Sequence, residues 1–538
     1  MGKKRLAVIL SLTLLLSMLV LSIKDSTHKF DDLIGGASSV TDGASSDVNT
    51  DDSLLIWYAD DALTEYLNAA ALSYSSEKGI KVKIELVSGV DYLERINNAS
   101  IYSGETDSDG NVLRTPDIYI TTHDTLTRAY LAGLATEVAD PHETLLPANY
   151  PKTALNAISY DGKYVAYPLY YETNYFLYNK TYMQNLATER VNAEADRLEG
   201  LAAQAALDSG EINPEEEQKE EQEENREANE ADEGLEDDFA EGEEENVDAD
   251  PMGNEDVEAS PEVLKRLSTM IPSTIDDIKD FANNYDAPEA VEAVFKWDVS
   301  DIFYNYFFIG NYINIGGDGG DNNLLFNVYN EQAVEALRVY QDLNNFFSID
   351  AKDVSYDKII QDFIDGKMVF TVATTDAVKK IDDAKRDGKF DFEYGVAVLP
   401  DVSRVLKSRG LSVTTVAAIN GYSDKKPEAN DFASYISYEK GQEFYRLAGK
   451  ISCKRECVYE NNEIYNIMNE YEKSVPLPKM MEIQDYWVQL EIAFTGIWNG
   501  ADPDATLKEL SDTLSSQLSE SDYHVPFQES FGFELLNN

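Results

Sequence analysis

Between residues 53 and 86 the spacing of apolar residues changes twice, and this restricts the fold more than any other feature of the chain. Ser53 to Tyr58 (SLLIWY) is an unbroken apolar run of strand length. From Ala62 to Lys78, Leu63, Tyr66, Leu67, Ala70 and Tyr74 recur at helical spacing, and Gly79 supplies a C-cap. Ile80, Val82, Ile84 and Leu86 then alternate with polar residues, as in a half-buried strand. Strand, helix and strand in this order predict two parallel strands joined by a right-handed crossover. A helix over 91–99 and a strand over 117–121 extend the unit into an α/β lobe. In open sheets of this type ligands lie beyond the carboxyl ends of the strands. Tyr58, Asp60 and Asp61 after the first strand are therefore candidates, as are Thr121 to Asp124 after the third. The plainer role for Asp60 or Asp61 is to cap the helix that follows.

The same alternation of elements resumes further along. Residues 162–180 (GKYVAYPLYYETNYFLYNK) read as two short strands around 170–172. A helix over 272–285 opens with Ser273, has Asp276 three positions on, and shows an apolar face of Ile275, Ile278 and Phe281. Residues 331–343 are a further helix, and 368–373, 394–399 and 413–419 are apolar strands. Helices over 426–447 and 504–518 follow, the second announced by Asp502 and Pro503. The expectation is two α/β lobes without an internal repeat.

Charge narrows the partners. The chain has 44 Lys+Arg against 100 Asp+Glu, a formal net charge of −56. Nucleic acid and anionic membrane surfaces require clustered Lys/Arg, so neither is expected as a partner. The charge is unevenly spread: residues 211–260 hold 24 acidic and two basic side chains, 2 − 24 = −22. So few apolar groups cannot offset ordering entropy, and about 208–262 are expected to form a disordered, solvated insert, after an Ala/Leu/Glu-rich helix at 193–206. Weak calcium binding or a charge-based partner contact are its functional alternatives. Outside it the chain still carries −56 + 22 = −34.

The N-terminus reads as an export signal. Lys3, Lys4 and Arg5 precede an apolar run from Leu6 to Ile23, followed by Lys24 and Asp25. At about 18 residues it is at the short end of what spans a bilayer. It lacks an A-x-A cleavage site and a following lipid-acceptor cysteine, so residues 1–23 are either a signal peptide or a retained anchor. Residues 24–52, rich in Ser, Gly and Asp, read as a flexible linker, and 521–538 as a C-terminal tail. The location expected is extracytoplasmic, at the cell surface or in the envelope.

Taken together, IWYADD (56–61), PDIYITTHD (116–124) and DGKYVAYPLYYETNYFLYNK (161–180) resemble the bacterial extracellular solute-binding proteins typified by the maltose/maltodextrin-binding protein. FIDGKMVFTVAT (363–374), FEYGVAVLPDV (392–402), AAINGYSDKKPEANDFASYIS (417–437), VPLPKMMEIQDYW (475–487) and PDATLKELSDTL (503–514) fall in the family's order. The resemblance implies a two-lobed periplasmic-binding-protein fold with a hinge between the lobes. Lobe 1 would be 53–168 plus 405–448, and lobe 2 would be 173–400, containing the insert, plus 449–520. It further implies a monomer that closes on a sugar and delivers it to the membrane permease of an ABC importer.

Sugar sites of this family combine carboxylates, which accept hydroxyl hydrogen bonds, with aromatic faces for pyranose rings. The resemblance carries the carboxylates onto Asp61, Asp124, Glu172 and Asp301, and aromatic positions onto Phe303 and Trp487. Where the maltose-binding protein has a lysine, an arginine and two tryptophans, this chain has Ala62, Thr125, Thr121 and Asp376, and a further arginine position becomes Glu491. Tyr58, Tyr170, Tyr171 and Tyr304 are candidate replacement platforms. A cleft with these carboxylates suits a neutral or amine-bearing saccharide, most simply an oligosaccharide. Cys453 and Cys457 (C-x₃-C) lie where the family has a loop, and a local disulfide or two free thiols are the alternatives.

Four histidines and two cysteines supply too few ligands for a metal site, and no cofactor is expected. The chain has no G-x-S-x-G, H-E-x-x-H or phosphate loop, and an enzyme is not expected. Two competing readings are a surface adhesion or sensory protein on the same fold, and a secreted glycoside hydrolase using a carboxylate pair. Deleting about 208–262 is expected to leave the melting temperature and ligand affinity nearly unchanged. A large fall in melting temperature on deletion would show that the insert packs.

Overall fold

The computed structural model describes residues 53–209 and 259–520, apart from 88, 90, 107–111 and 484. The signal segment, the linker, nearly all of the acidic insert and the C-terminal tail lie outside the described residues. The first lobe contains the expected unit: β1 (Leu54–Tyr58), α1 (Thr64–Lys78) and β2 (Val82–Leu86), with β2 parallel to β1. Gly79 ends α1 in the left-handed region (φ 74°), where a Cβ would be strained. After α2 (Tyr92–Ile101), β3 (Ile118–Thr122) joins the other side of β1, also in parallel. β1 is buried along its whole length, as an inner parallel strand should be, whereas β2 is the half-exposed edge. Asp117 fastens the sheet: its carboxylate accepts the Leu55 N–H at 2.8 Å and the Ser423 hydroxyl at 2.5 Å.

The two short strands expected within 162–180 are one. β4 (Tyr167–Asn179) runs for 13 residues and changes partners midway. After it come α3 (Lys180–Ser209), α4 (Pro261–Met270), α5 (Ile275–Asn284) and β5 (Ala293–Phe295), then α6 (Glu331–Phe347), β6 (Met368–Thr374), α7 (Asp376–Arg386), β7 (Tyr394–Ala397) and β8 (Leu411–Ile419). The first half of β4 pairs antiparallel with β8, up to Thr173↔Ser412. The second half pairs antiparallel with β6, starting at Asn174↔Thr374, and with β7. β8 also pairs antiparallel with β3, and β5 lies parallel to β6. Two mixed sheets are thus joined through one strand, in the order β2-β1-β3-β8-β4-β6-β5. Pro168 lacks a donor, and it sits where the β4–β8 register shifts between Thr415 and Val416, so the ladder absorbs it. Val475–Pro476, expected in the second lobe, pairs with Leu411–Ser412 and keeps the chain beside the first sheet as late as Pro476.

The second sheet is packed with aromatic rings. Phe176 of β4 stacks on Phe370 of β6 at 5.3 Å, and Phe281 of α5 meets Phe370 edge-on at 5.0 Å. The helices flanking the insert reach further into it than expected: α3 extends to Ser209, and α4 begins at Pro261 with Val263 and Leu267 buried. A deletion that spares both helices is therefore 210–258. The helix expected over 426–447 is broken. An α-helix over Lys426–Ser434 passes into one π-turn at Tyr435–Glu439, and a separate helix, Phe444–Ala448, follows Gly441.

The start of α5 lies one residue later than the sequence suggested. Thr274, not Ser273, is the N-cap: its hydroxyl accepts the Asp277 N–H at 3.1 Å, and the Asp277 carboxylate accepts the Thr274 N–H at 2.9 Å. Thr274→Ala should destabilise the protein by about 1 kcal/mol, read as a lower urea midpoint at unchanged slope.

Candidate functional site

Asp60 follows the carboxyl end of β1, and Glu172 sits in β4 just before it changes sheets. Lys450 brings them together. Its Nζ lies 3.3 Å from Asp60 Oδ2 and 3.4 Å from Glu172 Oε1, and 5.2 Å from the Tyr170 ring centre. The Tyr170 hydroxyl donates to Asp60 Oδ2 at 3.0 Å. From the second lobe, the Thr375 hydroxyl donates to Glu172 Oε2 and lies 3.2 Å from the Tyr171 carbonyl. Burial holds the Glu172 carboxyl above the usual carboxylate range, outweighing the pull of Lys450. Burial would lower the Lys450 ammonium, but Glu172 and Asp60 together hold it above its ordinary value.

The wall continues into the second lobe through the residue after Thr375. Asp376 Oδ1 accepts the Tyr356 hydroxyl at 2.6 Å, and its Oδ2 pairs with Lys380 at 2.9 Å, one turn along α7. Tyr304 stacks on Tyr356, ring centres 4.7 Å apart, and Phe303 meets Tyr304 edge-on at 6.0 Å. Asp301 caps the short helix Ile302–Asn305, accepting the Phe303 N–H at 2.8 Å. That helix packs against Tyr486–Trp498, which carries Trp487 and Glu491 on one face. Trp487 stacks at 6.2 Å on Tyr306. Burial raises the Asp301 carboxyl, and burial with the nearby Asp301 and Asp298 charges raises that of Glu491. Among the described residues neither Asp301 nor Glu491 makes an ion pair.

Three of the four proposed tyrosine platforms are not available as open faces. Tyr58 is 2% exposed in the core of the first lobe, its hydroxyl against Thr64 Oγ1 at 2.9 Å. Tyr171 is buried against Tyr471, ring centres 3.8 Å apart. Tyr170 is nearly as buried, between Phe444 and Lys450, and contributes its hydroxyl instead. Asp60 does act as a cap, accepting the Ala62 N–H at 3.1 Å, yet it also joins the ion pair, whereas Asp61 is exposed. Thr121 and Thr125 bond to each other at 3.0 Å, with half-buried Asp124 beside them. Cys453 and Cys457 are separate buried thiols rather than a disulfide. The Cys453 Sγ turns to the Tyr471 hydroxyl, 3.8 Å away, and its N–H is held by the Leu169 carbonyl. Lys450, Thr375, Tyr356 and Lys380 were not legible as site residues, because no spacing connects them along the chain.

Behind Asp124 the chain is fastened to 474–479 by buried groups. His123 Nδ1 accepts the Thr414 N–H at 3.0 Å, so the proton is on Nε2, which donates to the Leu477 carbonyl at 3.1 Å. The Lys479 ammonium donates to the Asn156, Ala157 and Ser159 carbonyls at the end of the helix Lys152–Ala157. Burial lowers the His123 pKa to about 4 and that of Lys479 to about 8. Among the described residues no helix is long and apolar enough to cross a membrane, and no group of three or more His, Cys, Asp or Glu is placed to hold a metal ion.

The fold is that of the two-lobed extracellular solute-binding proteins. Among solved structures, the chain is similar to the extracellular solute-binding protein from Staphylococcus aureus in complex with maltose, with 18% identity over 88% of this chain and 100% of that one and a TM-score of 0.61. It is also similar to a cyclo/maltodextrin-binding protein complexed with maltotetraose, with 15% identity over 88% of this chain and 98% of that one and the same TM-score of 0.61. No protein-family model and no curated protein matches the sequence.

The His123 geometry sets a pH dependence. Its native pKa lies below the unfolded value of 6.5, so its contribution to stability is complete above pH 6.5 and is lost as the pH falls through about 4. The loss should amount to about 3 kcal/mol, because the unfolded chain takes up a proton that the native state refuses. Urea melts between pH 7 and 4 should show this slope, and His123→Gln, though less stable at pH 7, should flatten it.

Proposed function

We propose that this protein is an extracytoplasmic solute-binding protein that holds a saccharide between its two lobes and delivers it to the membrane permease of an ABC importer. The observation that carries the reading is the continuous wall from Asp60 through Glu172 and Asp376 to Phe303, Trp487 and Glu491. It alternates hydroxyl acceptors with aromatic rings, the combination that fits a chain of pyranose units. It lies on a fold whose solved examples were crystallised with maltose and maltotetraose.

The ligand is read as a neutral or amine-bearing saccharide, in the size range of an oligosaccharide. Lys450 and Lys380 offset the carboxylates at the floor, but Asp301 and Glu491 keep the far end acidic. A uronate or sugar phosphate would meet like charge there in a partly desolvated setting, whereas an amine would be attracted. Asp61 and Asp124 lie on the first-lobe rim, where closure would bring them to the ligand.

A thermal-shift screen with maltotetraose, chitotetraose, glucosamine oligomers and a uronic-acid tetramer tests the reading, since a specific ligand stabilises the native state by mass action. A neutral or amino saccharide should raise the melting temperature and the uronate should not. By calorimetry, Glu172→Ala and Trp487→Ala should each weaken the hit by roughly 1.5–3 kcal/mol. Unchanged affinity in both variants, or tight uronate binding, would overturn the site.

A further inference from the structure

The donors and acceptors at the cleft floor close on one another around a single residue. Asp60 Oδ1 accepts the Ala62 N–H, and its Oδ2 takes the Tyr170 hydroxyl and Lys450. Glu172 Oε1 faces Lys450 and its Oε2 takes the Thr375 hydroxyl. The two carboxylates come from different elements, one at the end of β1 and one in the strand that joins the sheets. Among the described residues, only the Lys450 ammonium touches both. An ammonium has three N–H donors and no acceptor, so it neutralises them without competing for a ligand's donors. Lys450 is delivered there by Gly449, which ends the helix Phe444–Ala448 at φ 65°; a Cβ at Gly449 would meet Lys379 Cγ at 2.8 Å.

We propose that Lys450 is the positioning residue of the cleft floor, holding the Asp60 and Glu172 carboxyl groups side by side so that ligand hydroxyls meet two fixed acceptors. The proposal rests on the reading of the cleft as a saccharide site. The charged and titratable groups facing Glu172 are Lys450, Asp60 and Asp376, with the Tyr170 and Tyr171 phenols. Without Lys450, burial and the two aspartates all oppose ionisation of Glu172, so its carboxyl should take up a proton at a higher pH.

Lys450→Met and Lys450→Arg test this with two readouts. In the ligand-free protein, the Glu172 carboxyl is titrated by carbon-13 NMR. It should titrate at higher pH in Lys450→Met than in the wild type and return towards the wild-type value in Lys450→Arg. In the second readout, calorimetry with maltotetraose and chitotetraose is run from pH 5 to 8. Lys450→Met should bind roughly ten- to a hundredfold more weakly, with affinity falling off at a higher pH than in the wild type. Glu172 titrating identically in Lys450→Met and the wild type would overturn the proposal, even if the variant melted lower, because a merely structural residue would produce that result. If the wild type binds no saccharide, the saccharide reading fails, and the ligand-free titration still decides the role of Lys450.

Discussion

Thirteen residues of one strand, Tyr167–Asn179, supply backbone donors and acceptors to two sheets at once. Backbone groups buried at this depth must be paired, so β8 on one side and β6 with β7 on the other are fixed in register by the same strand. The change of partner between Thr173 and Asn174 then defines where the two sheets meet. Glu172 comes immediately before that point, which is why a carboxylate can stand in an otherwise buried strand: its side chain emerges where the sheets part. Thr375 follows Thr374, the first β6 residue to pair with the second half of β4. The hydroxyl that meets Glu172 is therefore set by the ladder itself.

The electrostatics follow from the same junction. A chain of net charge −56 has few cations to place. Two of its lysines stand at the floor of the cleft, Lys450 between Asp60 and Glu172 and Lys380 on Asp376. Further out, burial raises the Asp301 carboxyl, and burial with the Asp301 charge raises that of Glu491. The cleft is thus graded, from a compensated floor to an acidic, aromatic end around Phe303 and Trp487. Under the proposed function, a neutral sugar chain would lay its hydroxyls towards the floor, and the acidic end would decide which substituents it can carry.

Much of the secondary structure was legible because it depends on local spacing. The period-2 and period-3.6 patterns placed β1, α1, β2, α6, β6 and β8 to within a few residues, and Gly79 marked a true helix end. The errors fell where a neighbour decides. β4 looked like two strands because Pro168 and Glu172 interrupt the pattern, and only the bulge at Leu169 of β4, opposite Thr415 and Val416, and the opening between sheets accommodate them. Ser273 and Thr274 are equally good caps on paper, and both N–H groups reach the Asp277 carboxylate; the fold chose the one whose hydroxyl accepts the Asp277 N–H, while the Ser273 hydroxyl donates to that carboxylate instead.

The sequence alone therefore determined the alternation of strands and helices, the acidic character, and the family resemblance that put Glu172, Asp301, Phe303 and Trp487 forward, since these rest on residue type and order. Tertiary structure decided what those residues face. It buried Tyr58 on Thr64, separated Cys453 from Cys457, and preferred Asp60 to its neighbour Asp61 for the ion pair. It also brought Lys450 to Asp60, some 390 residues earlier in the chain. Contacts between residues so far apart in the chain leave no periodic trace, because they are fixed by where β4 changes sheets and not by any pattern along the sequence.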